Sequence, residues 1–203
     1  MVKRTVAIPV YVMIRPRSGD FLYEEDELEV MGENIRSLKA EGADGFVFGI
    51  LKENGAIDIE RNMALLKLAG GLPVTLHRAV DMTLDLNQAV EDAIVCGFTR
   101  ILTSGGRPAA EEGASNIAQL VVAAADRVTI MPGCGISEEN VARVLSETGA
   151  REFHCSGKVQ VLSRMEHRNA SVRMGQVMGT EYYRSVSSQT KLAAILAAAK
   201  TVL

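Results

Sequence analysis

Gly42-Ala43-Asp44-Gly45-Phe46-Val47-Phe48-Gly49 is a short apolar run set between glycines, and its outline returns twice further along the chain. Gly97-Phe98-Thr99-Arg100-Ile101-Leu102-Thr103-Ser104-Gly105 and Gly149-Ala150-Arg151-Glu152-Phe153-His154-Cys155-Ser156-Gly157 follow the same plan. Each opens with a glycine suited to end a helix in the left-handed conformation, where a missing Cβ removes the steric penalty. Each continues as an apolar run of strand length and closes on glycine or serine. The runs Leu72 to Ala79 and Arg127 to Pro132 match in length and hydrophobicity, and Val6 to Ile14 opens the series. Six candidate strands spaced about 25–35 residues apart have the period of a βα repeat.

Helical patterns fill the intervals. Leu28, Met31, Ile35 and Leu38 form one apolar stripe on a charged segment. Met63, Leu65, Leu66 and Leu68 fit a second helix, and Ala89, Val90, Ala93 and Ile94 a third. Ile117, Leu120, Val121 and Ala124 fit another, as do Leu192, Ile195, Leu196 and Ala199. Ser137 is suited to cap a helix carrying Val141, Val144 and Leu145. Continuously apolar strands alternating with amphipathic helices make a parallel sheet covered by helices. Polar residues end all six strands, as in a barrel whose strands share one mouth. No Gly-x-Gly-x-x-Gly opens a helix after the first strand, which counts against a nucleotide-binding open sheet. The expected fold is therefore α/β: a TIM-type (β/α)8 barrel, incomplete at six parallel βα units, in one domain over residues 1–203.

Composition narrows the class. The 203 residues are 47% hydrophobic and 23% charged, with a net charge of -3. That is too polar for a membrane bundle and too apolar for a disordered chain. The acidic balance argues against a nucleic-acid partner, which requires a basic face. Cys96, Cys134 and Cys155 are odd in number and widely separated, the usage of a reducing compartment. Arg15-Pro16-Arg17 follows the first apolar run where a signal peptide would place a small-residue cleavage site. The expectation is a cytoplasmic protein with a small-molecule or ion partner and no membrane contact.

In a parallel α/β protein, chemistry collects at the carboxyl ends of the strands. Those ends carry Arg15, Arg17 and Asp20; Gly49; His77, Arg78 and Asp81; Thr103, Ser104, Gly105 and Gly106; Gly133, Cys134 and Gly135; and His154, Cys155, Ser156 and Lys158. Arg15, Arg17 and Arg78, with the turns at Gly105-Gly106 and Gly133-Gly135, compose a candidate site for a small anion. The alternatives are that the glycines only make tight turns and that the arginines only form ion pairs. His77, with Arg15 and Asp81, is the candidate for general acid or base work or for a metal; its alternative is a hydrogen bond to a neighbouring carboxylate. Cys155 is a candidate soft ligand for Cu(I), and Cys134, one strand earlier, could approach it. His154 and Cys155, being adjacent, point to opposite faces of a regular strand, which disfavours a nucleophile pair. Lys52 and Lys158 lie beyond strand ends rather than on strands, a weak basis for a Schiff-base aldolase. Lys158 to Tyr183, with Arg164, His167, Arg168 and Arg173, reads as a lid or as a solvated basic loop.

Taken together, the motifs resemble a known family. Val12-Met13-Ile14-Arg15-Pro16-Arg17-Ser18-Gly19-Asp20-Phe21, Asp44-Gly45-Phe46-Val47-Phe48-Gly49 and His77-Arg78-Ala79-Val80-Asp81 resemble the signature of the CutC copper homeostasis family. So do Leu102-Thr103-Ser104-Gly105-Gly106, Met131-Pro132-Gly133-Cys134-Gly135-Ile136, Glu152-Phe153-His154-Cys155-Ser156 and Arg168-Asn169-Ala170-Ser171-Val172-Arg173-Met174-Gly175. The Phe-His-Cys-Ser form resembles the eukaryotic branch. The resemblance implies a TIM-type barrel, a cytoplasmic location with the nucleus as a second one, and copper handling through Cu(I). It also implies two further βα units, bearing cysteines, ahead of the first strand of this chain, and a glycine where Cys134 stands. Without those units the barrel has two unpaired edges, which invite self-association as a homo-oligomer. The competing class is an enzyme acting on a small phosphorylated or carboxylated substrate at the strand ends.

Overall fold

The computed structural model describes residues 2–169, 171–172 and 181–203. Five strands, β1 (Tyr11–Met13), β2 (Gly45–Phe48), β3 (Val74–Leu76), β4 (Arg100–Thr103) and β5 (Thr129–Pro132), form one parallel sheet in the order β1-β2-β3-β4-β5. Between and after them run α1 (Glu25–Ala40), α2 (Ile59–Ala69), α3 (Leu86–Cys96), α4 (Ala114–Ala124) and α5 (Val141–Thr148). An order that never reverses is decisive. Right-handed crossovers that always step the same way put every helix on one face and curl the sheet into an arc of a barrel. A doubly wound sheet would reverse its order.

The pleat assigns the two faces. Phe46, Phe48, Leu76, Ile101 and Ile130 are buried in one core with Met31, Ile35, Leu65, Ala93, Ile117, Leu120, Val144 and Leu145 from the helices. The alternate positions, Met13, Val47, Arg100, Thr129 and Met131, are half-buried or exposed along the concave side. Arg100 spans that side: it covers the Tyr11 ring at 5.5 Å and pairs with Glu152, the second oxygen lying 3.0 Å from Nη2.

Three sequence expectations need correction. The sixth strand, read over 149–157, is not a strand. Its tie to β5 is a bond from the His154 N–H to Pro132 O of 2.8 Å. Strand structure resumes within the stretch read as a lid or loop. There β6 (Lys158–Leu162) pairs antiparallel with β7 (Tyr183–Ser187) in a separate two-stranded sheet, ahead of α6 (Gln189–Ala199). Ala170 and Arg173 to Gly175 of the last family-like motif lie outside the described residues. Ser137 does not cap α5; Asn140 stands at that position and accepts the Ser137 N–H through Oδ1 at 2.9 Å.

Candidate functional site at the strand ends

Two clusters occupy the carboxyl ends of the strands, and they differ in kind. The first joins β3 to β4. His77 ends β3, and Arg78–Met82 turn immediately into a 3-10 helix that carries Asp81 back over the end of β4. The Asp81 carboxylate accepts from Thr103 Oγ1 at 2.5 Å, from the Ser104 N–H at 3.0 Å and from the Gly106 N–H at 3.0 Å. Arg78 closes the cluster, giving Nε to Asp81 at 2.8 Å and Nη2 to the Ser104 hydroxyl at 2.7 Å. The Asp81 side chain is only 4% exposed. The glycine-rich turn is thus an anion cradle, but the chain's own carboxylate fills it.

This answers the bland alternative for several candidates. Arg78 is an ion-pair partner, and Gly106 already spends its N–H on Asp81. The Gly105 N–H goes to Thr103 Oγ1 at 2.8 Å, and that of Gly133 to Thr103 O at 2.9 Å. Gly133 is required for close packing: a Cβ there would stand 2.4 Å from Leu102 Cδ1 and 3.2 Å from His154 Cβ. Gly135 accepts from Asn140 Nδ2 at 2.8 Å. Arg17 is likewise committed, to Glu27 Oε1 at 2.6 Å, Asp20 Oδ1 at 2.9 Å and Leu22 O at 2.6 Å. The hydrogen bonds it gives to Glu27 and then Asp20 raise its pKa, and Arg17 in turn holds that of Asp20 below the ordinary carboxylate value.

The second cluster sits over the ends of β1, β2 and β3 and is left unfinished. Arg15 gives Nη2 to Gly19 O at 2.7 Å, and no carboxylate lies against it among the described residues. Its guanidinium stands 4.7 Å from the centroid of Phe21, whose other neighbour is the His77 imidazole at 4.8 Å. His77 is 4% exposed and Tyr23 is 1% exposed. Their polar ends, Nε2 and the phenol oxygen, are buried with no partner in hydrogen-bonding geometry. Buried polar groups are nearly always satisfied, so two orphans beside one cation mark a place to explain. Burial, assisted by the Arg15 charge, pushes the His77 pKa down to about 4, so the ring is neutral at pH 7. Burial raises the Tyr23 phenol; Arg15, near enough to act on the phenol oxygen by its charge and by an imperfectly aligned N–H, opposes that rise, as does the Arg17 charge.

Gly49 lets this arrangement exist. A Cβ at Gly49 would lie 2.5 Å from Leu76 Cδ1 and 3.0 Å from His77 Nδ1, so the imidazole rests on bare backbone. Sequence reasoning named Arg15, His77 and Gly49 but passed over Phe21 and Tyr23. The available signal was two aromatics set six and eight residues past a strand-end arginine, beyond the turn at Ser18-Gly19. Asn62 was also missed. It is fully buried and holds both polar groups of Ile50, its Oδ1 taking the N–H at 3.1 Å and its Nδ2 giving to the carbonyl at 2.9 Å.

The thiols do not gather. Cys134, at φ +78°, turns toward the segment after β4 and gives its S–H to Pro108 O at 3.0 Å. Cys155, on the other side of β5, lines a shallow groove with His154, Leu192 and Leu196, and burial raises its pKa. Among the described residues no three His, Cys, Asp or Glu side chains stand together as a metal cage. The donor set therefore does not fit a closed chelate. No helix of the described residues is long and apolar enough to cross a membrane.

A parallel βα arc with its polar residues gathered at the carboxyl ends of the strands defines a member of the TIM-barrel class. Comparison with known proteins places it more closely. The model of the CutC family matches residues 1–159, and the chain belongs to that family. Copper homeostasis protein cutC homologs of Mus musculus and Homo sapiens are each 48% identical over the whole of this chain, which spans 75% of their length. A family protein CutC of Bacteroides thetaiotaomicron is 42% identical across 95% of this chain and 78% of its own. The crystal structure of the putative copper homeostasis protein CutC of Streptococcus agalactiae superposes at a TM-score of 0.69 with 36% identity, covering 71% of each chain. An aldolase, QR15, superposes at 0.60 with 18% identity over 74% of this chain and 69% of its own, a likeness of fold alone.

Proposed function

We propose that this chain serves copper homeostasis, in keeping with the names of its CutC relatives, and that its working site binds a small carboxylated or phosphorylated molecule at the ends of β1, β2 and β3. The observation that carries the reading is the unfinished cluster: Arg15 without a carboxylate, its charge acting on two buried polar groups that have no partner in good hydrogen-bond geometry. A guanidinium keeps up to five N–H donors in a planar fork suited to an oxyanion. A ligand that binds only the folded chain raises its melting temperature with concentration. Calorimetric scans in rising inorganic phosphate, and separately in rising pyruvate, should show that rise with at least one of them, and Arg15→Ala should abolish it. No rise with either, up to tens of millimolar against a matched chloride control, would remove the reading.

A second reading is Cu(I) binding in the cytoplasm at Cys155, with Cys134 a separate thiol turned toward Pro108 rather than a second ligand of the same ion. It is favoured by the partial exposure of Cys155 and by His154 beside it. Thiolates select Cu(I), which accepts few ligands, so it does not need a closed cage. Titration with Cu(I) against a competing chelator tests it; stoichiometric uptake lost in Cys155→Ser is expected. A third feature concerns assembly. β1 is an edge of the sheet, with Ile8 and Met13 exposed at 69% and 56%, and we infer self-association there. Light scattering on a size-exclusion column would report it.

A further inference from the structure

The His77 side chain carries more information than its position. It takes the N-cap place of the 3-10 helix Arg78–Met82, where its Nδ1 accepts the Ala79 N–H at 3.3 Å. A backbone N–H can only donate, so Nδ1 must be the bare nitrogen. In a neutral imidazole the single proton then sits on Nε2. That atom is the buried one without a partner. The ring is packed by the Gly49 backbone and by Phe21, and turning it over within that slot would put Cδ2 where Nδ1 stands and leave the Ala79 N–H without its acceptor.

We propose that His77 is held as the neutral Nε2–H tautomer and gives that proton in a hydrogen bond to an oxygen of a small 2-oxo or 2-hydroxy carboxylate whose carboxylate lies on Arg15. The inference deepens the anion-site reading and rests on it. The ligand chemistry follows from the donors. Arg15 is a cation with free N–H groups and suits the charged end. His77 Nε2–H and the Tyr23 hydroxyl are neutral groups buried within reach of the Arg15 charge, and they suit a neutral or partly charged oxygen of the same small ligand. Phe21 packs on both, its centroid 4.7 Å from the guanidinium carbon and 4.8 Å from the imidazole centroid, so it lines the place where a ligand would bridge them. A neutral imidazole donor polarises a carbonyl without releasing a proton, and this is why its fixed tautomer matters. The same depressed basicity makes His77 a poor general base, so the acid or base expectation for it narrows to donation.

Nitrogen-15 NMR of the imidazole, on the full chain at neutral pH, tests the two parts separately. In the free protein the expected pattern is a bare Nδ1 and a protonated Nε2. Addition of pyruvate should shift the Nε2–H resonance saturably, and Arg15→Ala should weaken the apparent affinity at least tenfold. Gly49→Ala, which pushes on the ring, should alter the imidazole signals before any ligand is added. A proton on Nδ1 in the free chain would overturn the inference alone. So would saturable pyruvate binding seen at the Gly19 and Gly49 amides with the His77 Nε2–H unmoved. No saturable change with pyruvate or inorganic phosphate anywhere at the strand ends would overturn the anion-site reading itself, and the ligand assigned to His77 with it.

Discussion

The β3–β4 cluster and the β1–β3 cluster are built from the same residue types within a few residues of each other, yet one is closed and the other open. Asp81 satisfies the turn at Ser104 and Gly106 and neutralises Arg78. Among the described residues Arg15 has no carboxylate against it, and His77 Nε2 and the Tyr23 hydroxyl have no partner in good hydrogen-bond geometry. Both sit at strand ends, where a parallel barrel arc collects polar groups, so location alone does not distinguish structure from function. The distinguishing feature is hydrogen-bond satisfaction. A buried polar group left unpaired costs about 1–3 kcal/mol, a cost that selection removes unless an external partner supplies the bond.

The comparison can be broken most forcefully from its closed side. Asp81→Ala would leave the Arg78 charge and the Ser104 and Gly106 N–H groups without their acceptor. The Arg78 side chain is 39% exposed, so solvent softens the loss of its partner. The buried Ser104 N–H and Thr103 hydroxyl are still left unsatisfied at about 1–3 kcal/mol each, and chemical denaturation should register a loss of about 2–4 kcal/mol. A loss below about 1 kcal/mol would mean that the cradle is not a structural unit. Acid should act next, through His77. The unfolded imidazole takes up a proton near pH 6.5 but the folded one only near 4, so stability is full above that window and falls as the pH drops through it. The drop amounts to about 3 kcal/mol at most, and His77→Gln should flatten it in a pH series of denaturation curves. A slope unchanged by the substitution would show that the ring is not buried as described.

Smaller effects sharpen the contrast. Gly133→Ala places a Cβ against Leu102 and His154 and should cost about 1–3 kcal/mol by overpacking, measured as a lowered denaturation midpoint. Tyr23→Phe removes a hydroxyl that has no partner, so stability should change by less than about 1 kcal/mol and can rise. A clear loss on Tyr23→Phe would reveal a partner and close the open cluster.

Much of this was legible before any coordinates. Apolar runs located all five parallel strands, because even concave-side positions such as Met13, Val47 and Met131, though half-buried or exposed, are apolar, so the runs do not alternate and are conspicuous. The sixth run misled for a physical reason. Its Glu152 is drawn to Arg100 on the concave side, and Gly157 leaves the extended conformation at φ +55°, so little ladder survives beyond the His154 bond. Conversely, Lys158-Val159-Gln160-Val161-Leu162 alternates half-buried valines with exposed residues, a period-two signal hidden in a segment weighed for its basic charge. At the site, Arg15 and His77 were readable from their strand-end positions. The division of labour among Arg15, Arg17 and Arg78 was not. It depends on which carboxylates fold back within reach, and among the described residues only Glu27, Asp20 and Asp81 do so. The thiols illustrate the same limit: Cys134 and Cys155 flank one strand, but they face different neighbours.

The most direct test titrates pyruvate into isotopically labelled protein and follows both clusters in one spectrum. The expected result is saturable movement of the Gly49 and His77 amides, absent in Arg15→Ala, with Ser104 and Gly106 unchanged because Asp81 already occupies them. Movement centred on Ser104 and Gly106 while Gly49 and His77 stay still would contradict the assignment of the open cluster as the working site.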